Sequence, residues 1–367
     1  MSLQPQPRPS VSMDYTPEPN ATTVTEDYYP DLLPTPCEEG LSTRNSKWLL
    51  VTIYCLVFVF GLLGNSLVIL VLVVCKKLRS ITDIYLLNLA LSDLLFVFSL
   101  PFQAYYQQDQ WVFGTVMCKV VSGLYYIGFF SNMFFITLMS LDRYLAIVHA
   151  VYSVKVRTTR MGTGLSLAVW LATLLATSPL LVFYQVASED GFLKCYSFYN
   201  HEAWKWKIFT HFEINIVGLL VPCTIFLFCY VRILRQLQNC QNQQKTRAIM
   251  LVLIVVVASL VFWVPFNVVL FLTSLHSLHI LDGCSTSQGL TSATHITQTI
   301  SFVHCCMNPV IYAFVGEKFK KHLSELFQKC FHHIFLYIGR QIPRESWEKS
   351  SSSHQRSSHS STVDCIL

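Results

Sequence analysis

Residues 48–74 read WLLVTIYCLVFVFGLLGNSLVILVLVV, a run without one charged side chain. A helix crossing about 30 Å of hydrocarbon needs roughly 20 apolar residues, and this run exceeds that. Six further blocks of the same kind follow, at 84–106, 116–141, 161–186, 208–230, 249–274 and 290–314. Their apolarity is continuous rather than alternating, which excludes an outer-membrane barrel. The connections are short, so no soluble domain is inserted. The reading is an all-α membrane protein, a seven-transmembrane helix bundle.

Composition agrees. Of 367 residues 53% are hydrophobic and 13% charged, where a soluble domain carries about 25% charged residues. Mean hydropathy is +0.45. A soluble enzyme, a nucleic-acid binder and a disordered scaffold are therefore excluded. Four parts follow: an acidic N-terminal segment (1–47), the bundle (48–314), an amphipathic juxtamembrane helix (315–330) and a Ser-rich tail (331–367). The first segment shows no apolar core or cleavage site of a signal peptide, so the first span is expected to direct insertion.

Lys and Arg placement sets the orientation. Lys76, Lys77 and Arg79 follow the first block, Arg143, Lys155, Arg157 and Arg160 the third, and Arg232, Arg235, Lys245 and Arg247 the fifth. Lys318, Lys320, Lys321 and Lys329 follow the seventh. The N-terminus is expected outside the plasma membrane and the C-terminus in the cytoplasm. On that topology four cysteines face the oxidising exterior, Cys37, Cys118, Cys195 and Cys284. Four cysteines allow three pairings. Cys118–Cys195 with Cys37–Cys284 is favoured, because each bond then ties an outer segment to a helix end.

The outer side is acidic. Asp14, Glu18, Glu26, Asp27, Asp31, Glu38 and Glu39 crowd the N-terminal segment, although the whole chain has a formal charge of +5. Such a field attracts basic partners and speeds their association. Tyr28 and Tyr29 sit among these acids, a setting for tyrosine sulfation, and Asn20-Ala-Thr22 is a glycosylation sequon.

Polar groups inside the spans point to function by default. Asp93, Asn65, Asn132 and Asn308 lie at similar depth in four blocks, able to satisfy one another around water or a sodium ion, or to glue helices together. Asp142-Arg143-Tyr144 ends the third block, where the arginine either pairs locally or reaches another helix. Pro101, Pro179, Pro222, Pro265 and Pro309 fall in five spans and are expected to interrupt and kink them. Kinked helices, an ionic pair and a buried acid suit a conformational switch. No metal-ligand spacing, nucleophile elbow or phosphate loop is present, and His304-Cys-Cys306 points its side chains in different directions on a helix.

These motifs carry a resemblance. Gly64-Asn65, Leu87-Asn-Leu-Ala-Leu-Ser-Asp93, Asp142-Arg-Tyr144, Trp170, Pro222 with Tyr230, Phe262-Trp263-Val-Pro265 and Asn308-Pro309-Val-Ile-Tyr312 fall in order, one set per span. Together they resemble the rhodopsin-like (class A) G-protein-coupled receptors. Asp142-Arg-Tyr-Leu-Ala-Ile-Val-His-Ala150, the outer cysteines and His304-Cys-Cys-Met-Asn-Pro309 narrow the resemblance to the chemokine receptors, and the longer stretches 76–83, 184–191 and 274–284 resemble their C-C members.

The resemblance implies a basic secreted C-C chemokine as ligand, C-C motif chemokine ligand 1 first, and a Gi-type heterotrimeric G protein, with calcium release and leukocyte migration downstream. It implies that Tyr54, Gln103, Tyr125, Tyr126, Phe266 and Gln298 line an upper cavity and that Tyr28 and Tyr29 hold the chemokine body. Trp263 is then the rotamer-sensitive residue beneath. Asp93, Asp142, Arg143, Tyr144, Tyr230, Asn308, Pro309 and Tyr312 make the remaining switch. Gln298 departs from the family's usual glutamate, Gln103 from a tryptophan and Asn132 from a small hydroxyl.

Beyond the spans, Phe319, Leu323 and Phe327 recur at i, i+4 and i+8, a stripe for membrane lipid, with Cys330 a palmitoylation candidate. Ser350, Ser351, Ser352, Ser353, Ser357, Ser358, Ser360, Ser361 and Thr362 offer sites for receptor kinases. Once phosphorylated they form an anionic patch for arrestin. Two rivals stay open. A transporter would show repeated halves, which are not seen; a chemokine scavenger coupled to arrestin alone sits poorly with the intact Asp142-Arg143-Tyr144.

Overall fold

The computed structural model describes residues 44–189, 191–199, 204–237, 243–281, 283–315, 319–321, 323, 324 and 328. They all belong to one compact unit, Glu39–Leu367. Its helices are α1 (Arg44–Leu70), α2 (Ile81–Gln108), α3 (Gly114–Val148), α4 (Ala150–Val156), α5 (Thr159–Phe183), α6 (Trp204–Asn215), α7 (Val221–Leu237), α8 (Gln243–Ser277) and α9 (Cys284–Val315). A π-helical stretch, Ile216–Leu220, joins α6 and α7 into one span. Six segments of the described residues are long and apolar enough to cross a membrane. The seventh block, inside α9, is not among them, because Thr297, Thr299, Ser301, His304 and Asn308 are buried polar side chains that dilute its hydropathy.

The spans close a ring in which α1 packs on α2 and α9, α8 on α9, and α6 on α8. At its centre stands α3, touching α2, α5, α7 and α8. Of its most apolar window 72% is buried, against 28% for α5 at the periphery. Leu167, Leu171 and Leu175 of α5 and Phe60 and Leu63 of α1 are exposed. In a bilayer such side chains are solvated by lipid, so their exposure carries no hydrophobic penalty.

Local chemistry sets the helix starts. Ser80 Oγ accepts from the Asp83 amide (3.2 Å) and Asp83 Oδ2 from the Ser80 amide (3.1 Å), a reciprocal cap that Lys76 braces with a 2.9 Å bond to Asp83 Oδ1. Thr158 Oγ1 accepts from the Met161 amide at the start of α5. Three expectations need correction. Pro101, Pro179, Pro265 and Pro309 lie inside helices that run on without a break, and only Pro222 sits beside an irregular turn. Packed neighbours re-satisfy the backbone groups that a proline frees. The third span continues to Val148, so Asp142-Arg143-Tyr144 lies within a helix rather than at its end. The fourth span stops at Phe183, where the chain enters an antiparallel hairpin, β1 (Tyr184–Glu189) and β2 (Phe192–Ser197), that the sequence did not announce.

Close approach at Gly218 gives a test of the packing. A Cβ there would stand 2.4 Å from Phe129 Cε1, and Phe129 has no room to yield, wedged against Phe130 and Trp263. Gly218→Ala should cost about 1–3 kcal/mol of stability, read as a lower thermal midpoint of the purified protein. An unchanged midpoint would contradict this contact.

Candidate functional site

Crosslinks build the end of the bundle expected to face outward, called the outer end below. Cys118 in the first turns of α3 is disulfide-bonded to Cys195 of β2, with Cα atoms 5.7 Å apart. The next residue, Lys119, donates to the carbonyls of Leu181 (2.6 Å) and Val182 (2.9 Å). Those carbonyls end α5, where no intrahelical donor remains and the helix dipole favours a cation. The Trp111 amide donates to Leu193 O at 2.8 Å, and the Leu193 amide to Gln110 Oε1 at 3.1 Å. The hairpin is thus held to α3 and to the loop after α2.

Beside it lies a cavity of about 360 Å³. Its walls are Gln103, Tyr106, Gln107 and Trp111, then Ser122, Tyr125 and Tyr126 of α3, then Tyr184, Lys194, Cys195, Tyr196 and Ser197 of the hairpin, and His295 and Gln298 of α9. Gln103, Tyr125, Tyr126 and Gln298 are where the sequence placed them. Tyr54 and Phe266 are not: both are 4% exposed and packed behind the wall. The Tyr54 hydroxyl is hydrogen-bonded to Thr299 Oγ1 at 3.1 Å, and the Phe266 ring lies against Tyr125 and Trp263. The hairpin tyrosines were missed because nothing local marks a loop residue as a cavity wall. The Tyr126 and Tyr184 hydroxyls are 3.2 Å apart. Burial, opposed by that bond and aided by nearby Tyr199, pushes Tyr184 up to about 12, so it stays a neutral phenol.

Tyr125 also touches the layer below. Its ring packs on Phe96 (4.8 Å), Phe302 (5.5 Å) and Trp263 (6.2 Å). Trp263, 1% exposed, lies against Phe129 (4.5 Å) and His304 (6.1 Å), and His304 Nε2 is 2.9 Å from Ser259 Oγ. Asp93, 2% exposed, accepts from Asn132 Nδ2 (2.9 Å) and Asn308 Nδ2 (2.7 Å). Asn65 does not join them. Its Nδ2 donates to the carbonyls of Gly61 (2.9 Å) and Cys305 (2.8 Å), a bond from α1 to the backbone of α9. The side-chain oxygens of Asn65, Asn132 and Asn308 are buried without a hydrogen-bond partner among the described residues. Amide and carboxylate oxygens are the donor set of a hard cation.

At the inner end Asp142 gathers donors from three elements. Arg157, just beyond α4, grips it with a fork, Nε to Oδ1 (2.6 Å) and Nη2 to Oδ2 (2.9 Å). Arg143 donates to Asp142 Oδ2 and to Thr82 Oγ1. Local pairing therefore holds Arg143, and Arg157 and Thr82 join a group that motif reading had limited to three residues. Tyr144 turns to His149 (3.1 Å) and Phe228. Tyr230 and Tyr312 are buried, and Phe319 packs its ring on Tyr312. Asn20, Tyr28, Tyr29, Cys37, Cys330, the tail hydroxyls and the side chain of Cys284 lie outside the described residues.

Residues 64–312 match the model of the 7 transmembrane receptor (rhodopsin family). C-C chemokine receptor type 8 of Homo sapiens is 74% identical over 355 residues, covering 97% of this chain and 100% of that protein. The Mus musculus protein of the same name is 69% identical over the same shares. C-C chemokine receptor type 4 of Homo sapiens is 49% identical over 84% of this chain and 87% of its own. The chain belongs to the C-C chemokine receptors of the rhodopsin family. Its family is one of multi-pass plasma-membrane receptors, not of enzymes.

In this receptor Asp142→Asn should release both arginines. Hydrogen bonds to charged groups contribute about 1.5–3 kcal/mol each, so the thermal midpoint should fall and basal nucleotide exchange on an added G protein should rise. Unchanged basal exchange would show that Asp142 does not restrain Arg143.

Proposed function

We propose that the receptor binds a small basic C-C chemokine, C-C motif chemokine ligand 1 first, and activates a Gi-type G protein, with calcium mobilisation and leukocyte chemotaxis following. The observation that carries this is the series of buried side chains below the cavity. It passes from Tyr125 to Trp263 and His304. On α9, Asn308 and Tyr312 follow His304 at four-residue steps, one face of one helix, and Asn308 holds Asp93. In this reading a ligand against Gln103, Tyr125, Tyr126 and Gln298 shifts Trp263, with Tyr54 and Phe266 as backing. The shift reaches the inner end as a release of Arg143 towards Tyr230. A sodium ion at Asp93, Asn132 and Asn308 belongs to the resting form, and sodium titration of agonist affinity tests it.

The N-terminal segment is the outer part of the same reading. Its acids and Tyr28 and Tyr29 hold the chemokine body while the chemokine's end enters the cavity. Changing both tyrosines to Phe should weaken chemokine binding several-fold, and added salt should slow association because exposed charges are screened. Salt-independent association would contradict it. The tail after Lys349, phosphorylated by receptor kinases, recruits arrestin, while Phe319 of the expected lipid stripe is instead turned to Tyr312 and Leu323 to the core.

A chemokine panel on membranes bearing the receptor tests the whole. The chemokine should stimulate GTP binding. Arg143→Ala should abolish that while chemokine binding persists, because the residue stands at the opposite membrane face. Truncation after Lys349 should keep GTP binding and lose arrestin recruitment. Chemokine binding without nucleotide exchange in the unaltered receptor would instead identify a scavenger.

A further inference from the structure

Donors are unevenly shared at Asp142. Among the described residues its Oδ1 accepts from Arg157 Nε, at 2.6 Å, and from nothing else. Three donors meet at Oδ2: Arg157 Nη2 at 2.9 Å, Thr82 Oγ1 at 3.4 Å, and Arg143 Nη2. A carboxylate oxygen has about two lone-pair sites, so Arg143 competes for a crowded acceptor. The same Nη2 is divided with the neutral Thr82 Oγ1, and Arg143 Nε is buried without a hydrogen-bond partner among the described residues. Two parallel bonds are the strong way for a guanidinium to hold a carboxylate. Arg157 has that fork and Arg143 does not.

Arg157 reaches Asp142 from a fixed position. Its amide donates to Ser153 O at 2.9 Å, closing α4, and the next residue, Thr158, caps α5. The start of α5 is seated on the start of α2, where a Cβ on Gly162 would stand 2.6 Å from Ile81 Cγ1. We propose that Arg157 is a positioning residue for the switch: by holding Asp142 Oδ1 it denies Arg143 the fork that would lock it in the resting form. The proposal rests on the reading of Arg143 as the group released on activation. Its consequence has a definite sign. A brace on Asp142 would stabilise the resting form, and losing the brace would raise basal nucleotide exchange. A competitor weakens that form, so losing the competitor should lower basal exchange. Two like charges drawn to one carboxylate also repel each other, which acts in the same direction.

The first arm uses the full chain in nanodiscs with a Gi-type G protein and C-C motif chemokine ligand 1. Arg157→Ala should lower the ratio of basal to chemokine-saturated GTP binding several-fold. It should also raise the chemokine concentration needed by about tenfold, the worth of one hydrogen bond to a charged group. Arg157→Lys keeps the charge without the fork and should fall between the two. Ratios within one variant do not depend on how much of it is folded. In the Asp142→Asn background the effect of Arg157→Ala should be lost, because its target is gone. A ratio that rises or stays level overturns the proposal, as does a fall that persists in Asp142→Asn, which would set Arg157 against the G protein instead. The second arm needs neither chemokine nor G protein. In NMR of the receptor with isotope-labelled arginine, the Arg143 Nε–H resonance is assigned by its loss in Arg143→Lys. It should move downfield in Arg157→Ala as that N–H gains an acceptor, and an unmoved resonance overturns the proposal. Absence of chemokine-stimulated exchange in the unaltered receptor refutes the proposed function, while the resonance still decides whether Arg157 withholds the fork.

Discussion

A carboxylate buried at the middle of a membrane bundle has to be held by its neighbours, and Asp93 is held by two amides from two other helices. Asn132 brings α3 to it and Asn308 brings α9. In lipid the apolar side chains of facing helices gain nothing from hiding, because hydrocarbon surrounds them either way. Register must come from hydrogen bonds and from places where backbones approach closely. Asn65 bonds to the Cys305 carbonyl in the same layer, and a Cβ on Gly64 would stand 2.9 Å from Pro309 Cγ, so α1 and α9 are locked there as well. With α1, α2, α3 and α9 fixed at that depth, the heights of Tyr125 above it and of Tyr312 below it follow.

The two ends of the bundle are fastened by different chemistry. Outside, a covalent bond between Cys118 and Cys195, the Lys119 cap on α5 and the Trp111 amide hold the hairpin over helix ends. Inside, the fastening is ionic, with Asp142 shared between Arg143, Arg157 and Thr82. Ion pairs at an aqueous boundary exchange for water or for another partner at modest cost, whereas a disulfide does not. Asp142 also shows why one arginine is not enough: the Arg157 fork uses both carboxylate oxygens, so Arg143 shares its counter-charge and is held less firmly than an exclusive pair would hold it.

Continuous apolarity made the bundle legible in the sequence, since only a helix satisfies its own backbone in hydrocarbon. The polar motifs marked the right depth, and Asp93 with Asn132 and Asn308 came together as their positions implied. Side-chain partners were less legible. Asn65 shares the depth of Asp93 yet bonds backbone, because depth fixes height along the bundle and not the direction a side chain faces. Tyr54 and Phe266 lie at cavity height but behind its wall, covered by residues of other helices. The hairpin and the Arg157 fork depend on pairings across loops, for which apolar periodicity carries no signal. In α9 the hydropathy itself was diluted by the buried polar groups Thr297, Thr299, Ser301, His304 and Asn308.

In the proposed function, the face of α9 that carries His304, Asn308 and Tyr312 relays a ligand contact towards the far membrane surface. Tyr125, Phe96 and Phe129 pack on Trp263 in edge-to-face or tilted pairs, with ring centres 4.5 to 6.2 Å apart, and close-packed rings have few alternative arrangements. A displacement of Tyr125 is therefore not absorbed gradually; the cluster keeps its packing or changes to another. His304 joins Trp263 to α9 and shares a hydrogen bond with Ser259 of α8, so a new Trp263 position bears on the seam between those helices. One turn further on, Asn308 holds Asp93. Moving α9 against α2 would lengthen that bond and leave a buried carboxyl oxygen short of a partner, which ties the seam to the layer where α2, α3 and α9 meet.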